Sequence, residues 1–197
     1  MRLDKEEMKA LRRRLKESLS EKRYRHSIGV AETARDLALH YGCDPEQAYL
    51  AGLVHDYAKS MKKSELVEIA ERENLLRDPI EKELTEVLHG PVGAWRLPRE
   101  TTVNDPEILE AVANHTLGAV RMTLLDKIIF VADIVEPNRS TPDLEKEREI
   151  AFQDLDRAIL RSLDSTIRYC LEIGRLLHPD SVFLRNEYIR LLREKEK

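Results

Sequence analysis

No stretch of this chain alternates apolar and polar residues between turn signals. Its apolar residues return instead every three or four positions, the period of a helix that buries one face. A chain without strand patterning must bury its apolar surface by packing helix on helix, so we expect an all-α domain of roughly eight to ten helices. Composition agrees. Of 197 residues, 36% are charged and 5% aromatic, with only 7 glycines and 8 prolines, which suits helices with polar outer faces. The formal charge is −4 and no basic block stands out, which argues against general nucleic-acid binding. No run approaches the roughly 20 apolar residues of a membrane span. The segment Met1–Leu15 is charged throughout and lacks the apolar core of a secretory signal. Cys43 and Cys170 fit no ligand spacing and read as reduced thiols. The expectation is a cytoplasmic protein with no membrane partner; whether it pairs as a homodimer is left open.

Caps and prolines divide the chain. Met8, Leu11, Leu15 and Leu19 mark a first helix within residues 1–20, packing on the core. Ser20 caps a second, which runs to Tyr41 and stops at Gly42. Asp44-Pro45-Glu46 is an N-cap followed by proline at the first helical position, and that helix is expected to reach Ala58. Ser64 opens another helix, and Asp78-Pro79 one that reaches Leu88. Residues 90–104, with Pro91 and Pro98, read as irregular. Asp105-Pro106 opens a helix to His115, Thr123 caps an apolar one to Glu136, and Thr141-Pro142 starts a further segment. A long amphipathic helix covers Leu155–Leu177 and a last one Val182–Glu194, with residues 193–197 a fraying charged end. The whole, 1–197, reads as one domain.

The six histidines carry most of the functional signal. His26 lies within a helical run, His55 and Asp56 are adjacent, and Asp133 sits inside the apolar run Ile128–Val135. A lone carboxylate in such surroundings is costly, so Asp133 needs a partner: a divalent cation, Lys127, Arg139 or a helix N-terminus. Adjacent helical residues point about 100° apart, so His55 and Asp56 reach one ion only near the helix surface, with further ligands from other helices. Gly29 and Gly52, one turn from His26 and His55, suggest close packing or a nearby ligand. Two imidazoles with two carboxylates suit iron, manganese or zinc better than calcium. Taken singly, each residue also has an ordinary reading: a hydrogen-bonded histidine, a polar pair at a helix end, a satisfied core carboxylate.

The series His26, His55-Asp56 and Asp133 resembles the signature of the HD superfamily of metal-dependent phosphohydrolases. The segments His26–Ala31, Ala51–Lys59, Leu88–Ala94, Asn114–Gly118 and Met122–Arg139 are similar, in order and spacing, to one bacterial branch. That branch is the YqeK-type symmetrical bis(nucleosyl)-tetraphosphatases. The resemblance covers about Tyr24 to Asn186, while residues 96–104 depart from it. It implies an all-helical HD domain and a divalent metal, typically iron, held by His26, His55, Asp56 and Asp133. One ion is favoured over two. It also implies hydrolysis of diadenosine tetraphosphate to two ADP, with His89 and His115 at the phosphates or at a second metal, and Thr116 as an added donor. Lys59, Arg139 and Arg23 stand near enough in sequence to contact a phosphate. The turn carrying Leu176, His178, Pro179 and Ser181 would border the nucleoside. Other readings are a different HD nucleotide phosphohydrolase and a non-catalytic nucleotide sensor.

Overall fold

A computed structural model describes residues 2–140 and 143–197. Thr141 and Pro142, expected to start a segment, lie outside the described residues. Ten α-helices and two short 3-10 turns are found, with no strand among the described residues.

Helices α1 (Lys5–Ser18) and α2 (Glu21–Tyr41) begin and end where the caps indicate. Asp4 and Glu7 form a capping box, Ser20 accepts from Arg23 N–H, and Gly42 closes α2 in the left-handed region at φ 76°. Asp44 and Pro45 start α3 (Pro45–Val54). Helix α3 packs along α2, and α7 (Leu124–Val135) lies against both. This three-helix centre is nearly dry: Leu53, Val54, Ile128, Ile129 and Ala132 are buried. Gly52 lets α2 and α3 touch, since a Cβ there would stand 2.9 Å from Ala31 Cα. The expected helix to Ala58 is therefore real only as far as Val54. The His55 ring lies 2.7 Å from the Gly52 carbonyl, the oxygen that helix continuation would assign to Asp56 N–H. Residues 55–60 follow as tight turns with Tyr57 N–H on Val54 and Lys59 N–H on Asp56.

Helix α4 (Lys63–Arg72) precedes the segment after Asp78, where one helix to Leu88 was expected. The structure has two 3-10 turns instead, Pro79–Lys82 and Thr85–Val87. Residues 90–104 differ in the other direction. Helix α5 (His89–Glu100) runs through Pro91 and Pro98. Pro91 lies in the first turn, where no amide partner is lost. Pro98 lies in the last turn, which Thr101 ties to the Leu97 carbonyl through both its amide (2.9 Å) and its hydroxyl (2.7 Å). Burial of Val92, Gly93 and Leu97 repays the missing bond. Residues 99–102 border a cleft of about 610 Å³ against α1.

Helix α6 is Pro106–Asn114, and α8 (Leu144–Gln153) leads into α9 (Leu155–Glu172). Helix α9 ends five residues before Leu177, because Gly174 at φ 65° turns the chain. Helix α10 (Pro179–Lys195) starts three residues earlier than expected, capped by His178, whose Nδ1 accepts from Asp180 N–H at 3.1 Å. It also continues through Arg193 and Glu194, where fraying was expected. Lys195 Nζ reaches Asp156 Oδ2 at 2.6 Å and Glu196 meets Arg157 at 2.8 Å, tying the end to α9. No described helix is long and apolar enough to cross a membrane.

Candidate metal centre

Four helix ends and one helix interior converge on a single point. His26 comes from the second turn of α2, His55 and Asp56 from the turn after α3, His89 from the start of α5, His115 from the end of α6, and Asp133 from the last turn of α7. All four histidines are buried, as is Asp56, and Asp133 is partly so.

Their distances define two connected groups. His26 Nε2 stands 2.9 Å from Asp133 Oδ1 and 3.8 Å from Asp56 Oδ2. His55 Nε2 stands 3.6 Å from Asp56 Oδ2 and 3.7 Å from Asp133 Oδ1. On the other side of the same carboxylate, Asp56 Oδ1 is 3.1 Å from His89 Nε2 and 3.8 Å from His115 Nε2. Those two imidazole nitrogens are 2.9 Å apart. Asp56 therefore faces one pair of histidines with each oxygen.

The tautomers follow from the second ring nitrogen. A backbone carbonyl only accepts, so the ring nitrogen beside it carries the proton. His55 Nδ1 donates to Gly52 at 2.7 Å, His89 Nδ1 to Glu86 at 2.6 Å and His115 Nδ1 to Val112 at 2.7 Å. His26 Nδ1 lies 3.0 Å from the Glu136 carboxylate and donates there. In the neutral rings all four Nε2 atoms then point lone pairs at two carboxylates and at each other. His55 Nε2 is buried without a hydrogen-bond partner, and His26 Nε2 faces the Asp133 carboxylate. Such a gathering of electron pairs is favourable only around a cation or a shared proton. Within it, three ligand sets fit around a single ion: His26, His55 and Asp56; His55, His115 and Asp133; Asp56, His89 and His115. The residues present fit a divalent metal.

Electrostatics hold most of these groups in ligating form. Burial lowers the pKa of His55 and of His89. Burial, with His89 and His55 nearby, takes His115 down to about 3. His26 moves the other way: burial lowers it, but Asp133 and Glu136 outweigh that. Burial would raise both aspartates. His55, His89 and His115 hold Asp56 well below the carboxylate range instead, while His26, His55 and Arg139 lower Asp133.

The cations expected at the phosphates surround this centre. Lys59 Nζ lies 3.2 Å from His89 Nε2. Arg23 Nη1 donates to Asp56 Oδ2 at 3.2 Å, and Arg139 Nη2 to Asp133 Oδ1 at 2.5 Å. Thr116 Oγ1 is 3.4 Å from His115 Nε2. The turn expected at the nucleoside is built differently from a simple wall. His178 and Ser181 are buried, with His178 committed to the α10 cap and to Glu81 at 3.2 Å, while Leu176 and Pro179 are exposed. Arg175 of this turn pairs with Glu86, whose carbonyl holds His89. In the departing stretch 96–104, Glu100 binds Arg14 at 2.6 Å and Tyr57 at 2.9 Å.

Sequence reasoning missed Glu136. It reads as an ordinary acidic residue at a helix end, yet it is buried and holds His26. The available signal was Gly29, one turn along α2 from His26: a Cβ there would lie 2.2 Å from Glu136 Oε2.

Comparisons with known proteins agree with this geometry. Residues 23–138 match the HD domain model. The chain is 43% identical over 175 residues to the symmetrical bis(5'-nucleosyl)-tetraphosphatase of Halalkalibacterium halodurans, covering 89% of this chain and 93% of that one. It is 38% identical to the Bacillus subtilis protein of the same name, covering 87% and 92%. A crystal structure of a predicted HD superfamily hydrolase involved in NAD metabolism, from Clostridium acetobutylicum, superposes with TM-score 0.90 at 35% identity, over 96% of this chain and 99% of that one. The chain belongs to the HD domain family and, within it, to the symmetrical bis(5'-nucleosyl)-tetraphosphatase family.

Proposed function

We propose that this chain is a metal-dependent hydrolase that splits diadenosine tetraphosphate, and dinucleoside tetraphosphates generally, into two nucleoside diphosphates. The observation that carries the reading is the convergence of four Nε2 atoms and two carboxylates, with His55 Nε2 buried without a hydrogen-bond partner. The names of the relatives at 43% and 38% identity support the substrate.

His26, His55, Asp56 and Asp133 would hold one ion; this mixed donor set suits iron, manganese or zinc, and the family resemblance favours iron. A divalent cation there supplies a Lewis acid and a water of lowered pKa. The protein's own groups do the rest. Asp56 and Asp133 stay ionised and orient the attacking water. His89 and His115, 2.9 Å apart, would take up one proton between them when the substrate's negative charge offsets the burial that lowers their pKa values, and pass it to the leaving phosphate. Lys59 and the Thr116 hydroxyl meet the phosphate oxygens beside them. Arg23 and Arg139, both partly exposed, present guanidinium groups that bind carboxylate and phosphate oxygens alike. The exposed Leu176 and Pro179 would border the nucleoside, with His178 and Ser181 shaping that turn from beneath. Residues 1–197 act as one HD domain in this reading. The free thiols of Cys43 and Cys170 fit a reducing cytoplasm.

Product analysis tests it. Iron-loaded protein and diadenosine tetraphosphate should yield ADP alone. ATP plus AMP would reject symmetrical cleavage, and tight ADP binding without turnover of any nucleotide would favour a sensor.

A further inference from the structure

We infer that Glu136 is a positioning residue for the metal centre: its carboxylate fixes and polarises His26, and the bare backbone of Gly29 makes room for it. The inference rests on the proposal that His26 binds the metal.

Three observations carry it. Glu136 is only 1% exposed, so it is no surface acid. Each of its oxygens has a separate task. Oε1 accepts from His26 Nδ1 at 3.0 Å, and Oε2 accepts from both the amide and the side-chain nitrogen of Asn138, each at 2.8 Å. The carboxylate is thus clamped from behind while it faces His26. Finally, a Cβ on Gly29 would fall 2.2 Å from Oε2 and 2.8 Å from Asn138 Nδ2. Helix α2 carries a glycine in its middle, at a cost of about 1 kcal/mol against alanine in a helix, and the space it leaves is filled by this pair.

The same short segment reaches a second proposed ligand. Arg139 binds the Asp133 carboxylate with Nη2 and the Asp133 carbonyl with Nε at 2.8 Å, and its amide closes the turn on Glu136 O at 3.1 Å. Residues 136–139 therefore orient His26 and Asp133 together. A carboxylate behind an imidazole raises its basicity as a ligand, and loss of such a partner costs about 10- to 100-fold in metal affinity. His55, His89 and His115 rest on neutral carbonyls instead.

Zinc affinity, measured by chelator competition on Glu136→Gln, Glu136→Ala, Gly29→Ala and His26→Ala, tests this. Glu136→Gln keeps an oxygen acceptor for His26 but loses the charge and puts an NH2 donor where Oε2 accepted from Asn138, so affinity should fall by about tenfold. Glu136→Ala should lose closer to 100-fold, and Gly29→Ala should follow it, because the clamped carboxylate must leave one of its partners. In the zinc-loaded wild type, histidine nitrogen NMR should show His26 protonated at Nδ1 and bound through Nε2, with the Nδ1 proton shift moving in Glu136→Gln. Wild-type affinity and an unmoved His26 signal in both Glu136→Gln and Gly29→Ala, with His26→Ala strongly impaired, would overturn the role of Glu136. Wild-type affinity in His26→Ala would instead overturn the ligand reading itself. Should Glu136→Ala not fold, the Gln and Gly29 variants decide.

Discussion

The two halves of the centre are built by different means. His55, His89 and His115 each lean on a carbonyl three residues earlier in their own chain segment. His26 and Asp133 depend on side chains of a turn 110 and six residues away, through Glu136 and Arg139. The first device is local. It uses a carbonyl three residues back, needs no second side chain, and adds no charge. The second is long-range, carries charge, and can be removed by one substitution. One half of the site is thus fixed by main chain, and the other is open to tuning.

Substitutions at the ligands should break the comparison most severely. His55→Ala removes a nitrogen shared by two of the candidate ligand sets, so metal should be lost and turnover should fall by roughly 10³-fold or more, the several kcal/mol that a Lewis acid contributes. Circular dichroism should still report a helical protein.

The carbonyl-held pair His89 and His115 separates proton delivery from metal binding. His115→Ala should lower kcat by about 10²- to 10⁴-fold, as for a general acid, with metal content unchanged in elemental analysis. Loss of one metal equivalent in that variant would reassign the pair to a second ion.

The two glycines sharpen the contrast further. Gly52→Ala pushes a methyl against α2 backbone, which cannot swing aside, so it should cost about 1–3 kcal/mol in a denaturant titration. Gly29→Ala meets the far end of a side chain, so its effect should appear in metal affinity more than in stability.

The smallest effect lies away from the centre. Burial would raise the Asp156 carboxyl, but Lys127 at 2.7 Å and Lys195 at 2.6 Å outweigh it and hold it below its usual 3.8. A depressed folded value means the stabilisation is complete above about pH 4 and is lost as pH falls through the folded value. Asp156→Asn should melt a few degrees lower at pH 7, as about 1 kcal/mol would give in a protein of this size, and the gap should close below pH 4.

These contrasts also explain what the sequence made legible. Ser20, Gly42, Asp44-Pro45, Asp105-Pro106 and Thr123 act on their own segments, so the ends of α2 and the starts of α3, α6 and α7 could be read locally. His26, His55, Asp56 and Asp133 were visible as polar residues in apolar or glycine-marked runs, and His89 and His115 through the family resemblance. Helix α5 was not, because burial of Val92 and Leu97 outweighs two prolines only in the folded chain. The early end of α3 was hidden too, since the His55 ring replaces an amide at Gly52. Glu136 was hidden for the same reason as α5: its partner stands 110 residues away.

Metal stoichiometry in chelator-stripped, reloaded protein tests the central claim most directly. The wild type should retain at least one divalent ion per chain, and Asp133→Ala should lose that ion and its turnover while staying helical. An Asp133→Ala protein with full metal content and full activity would contradict the account.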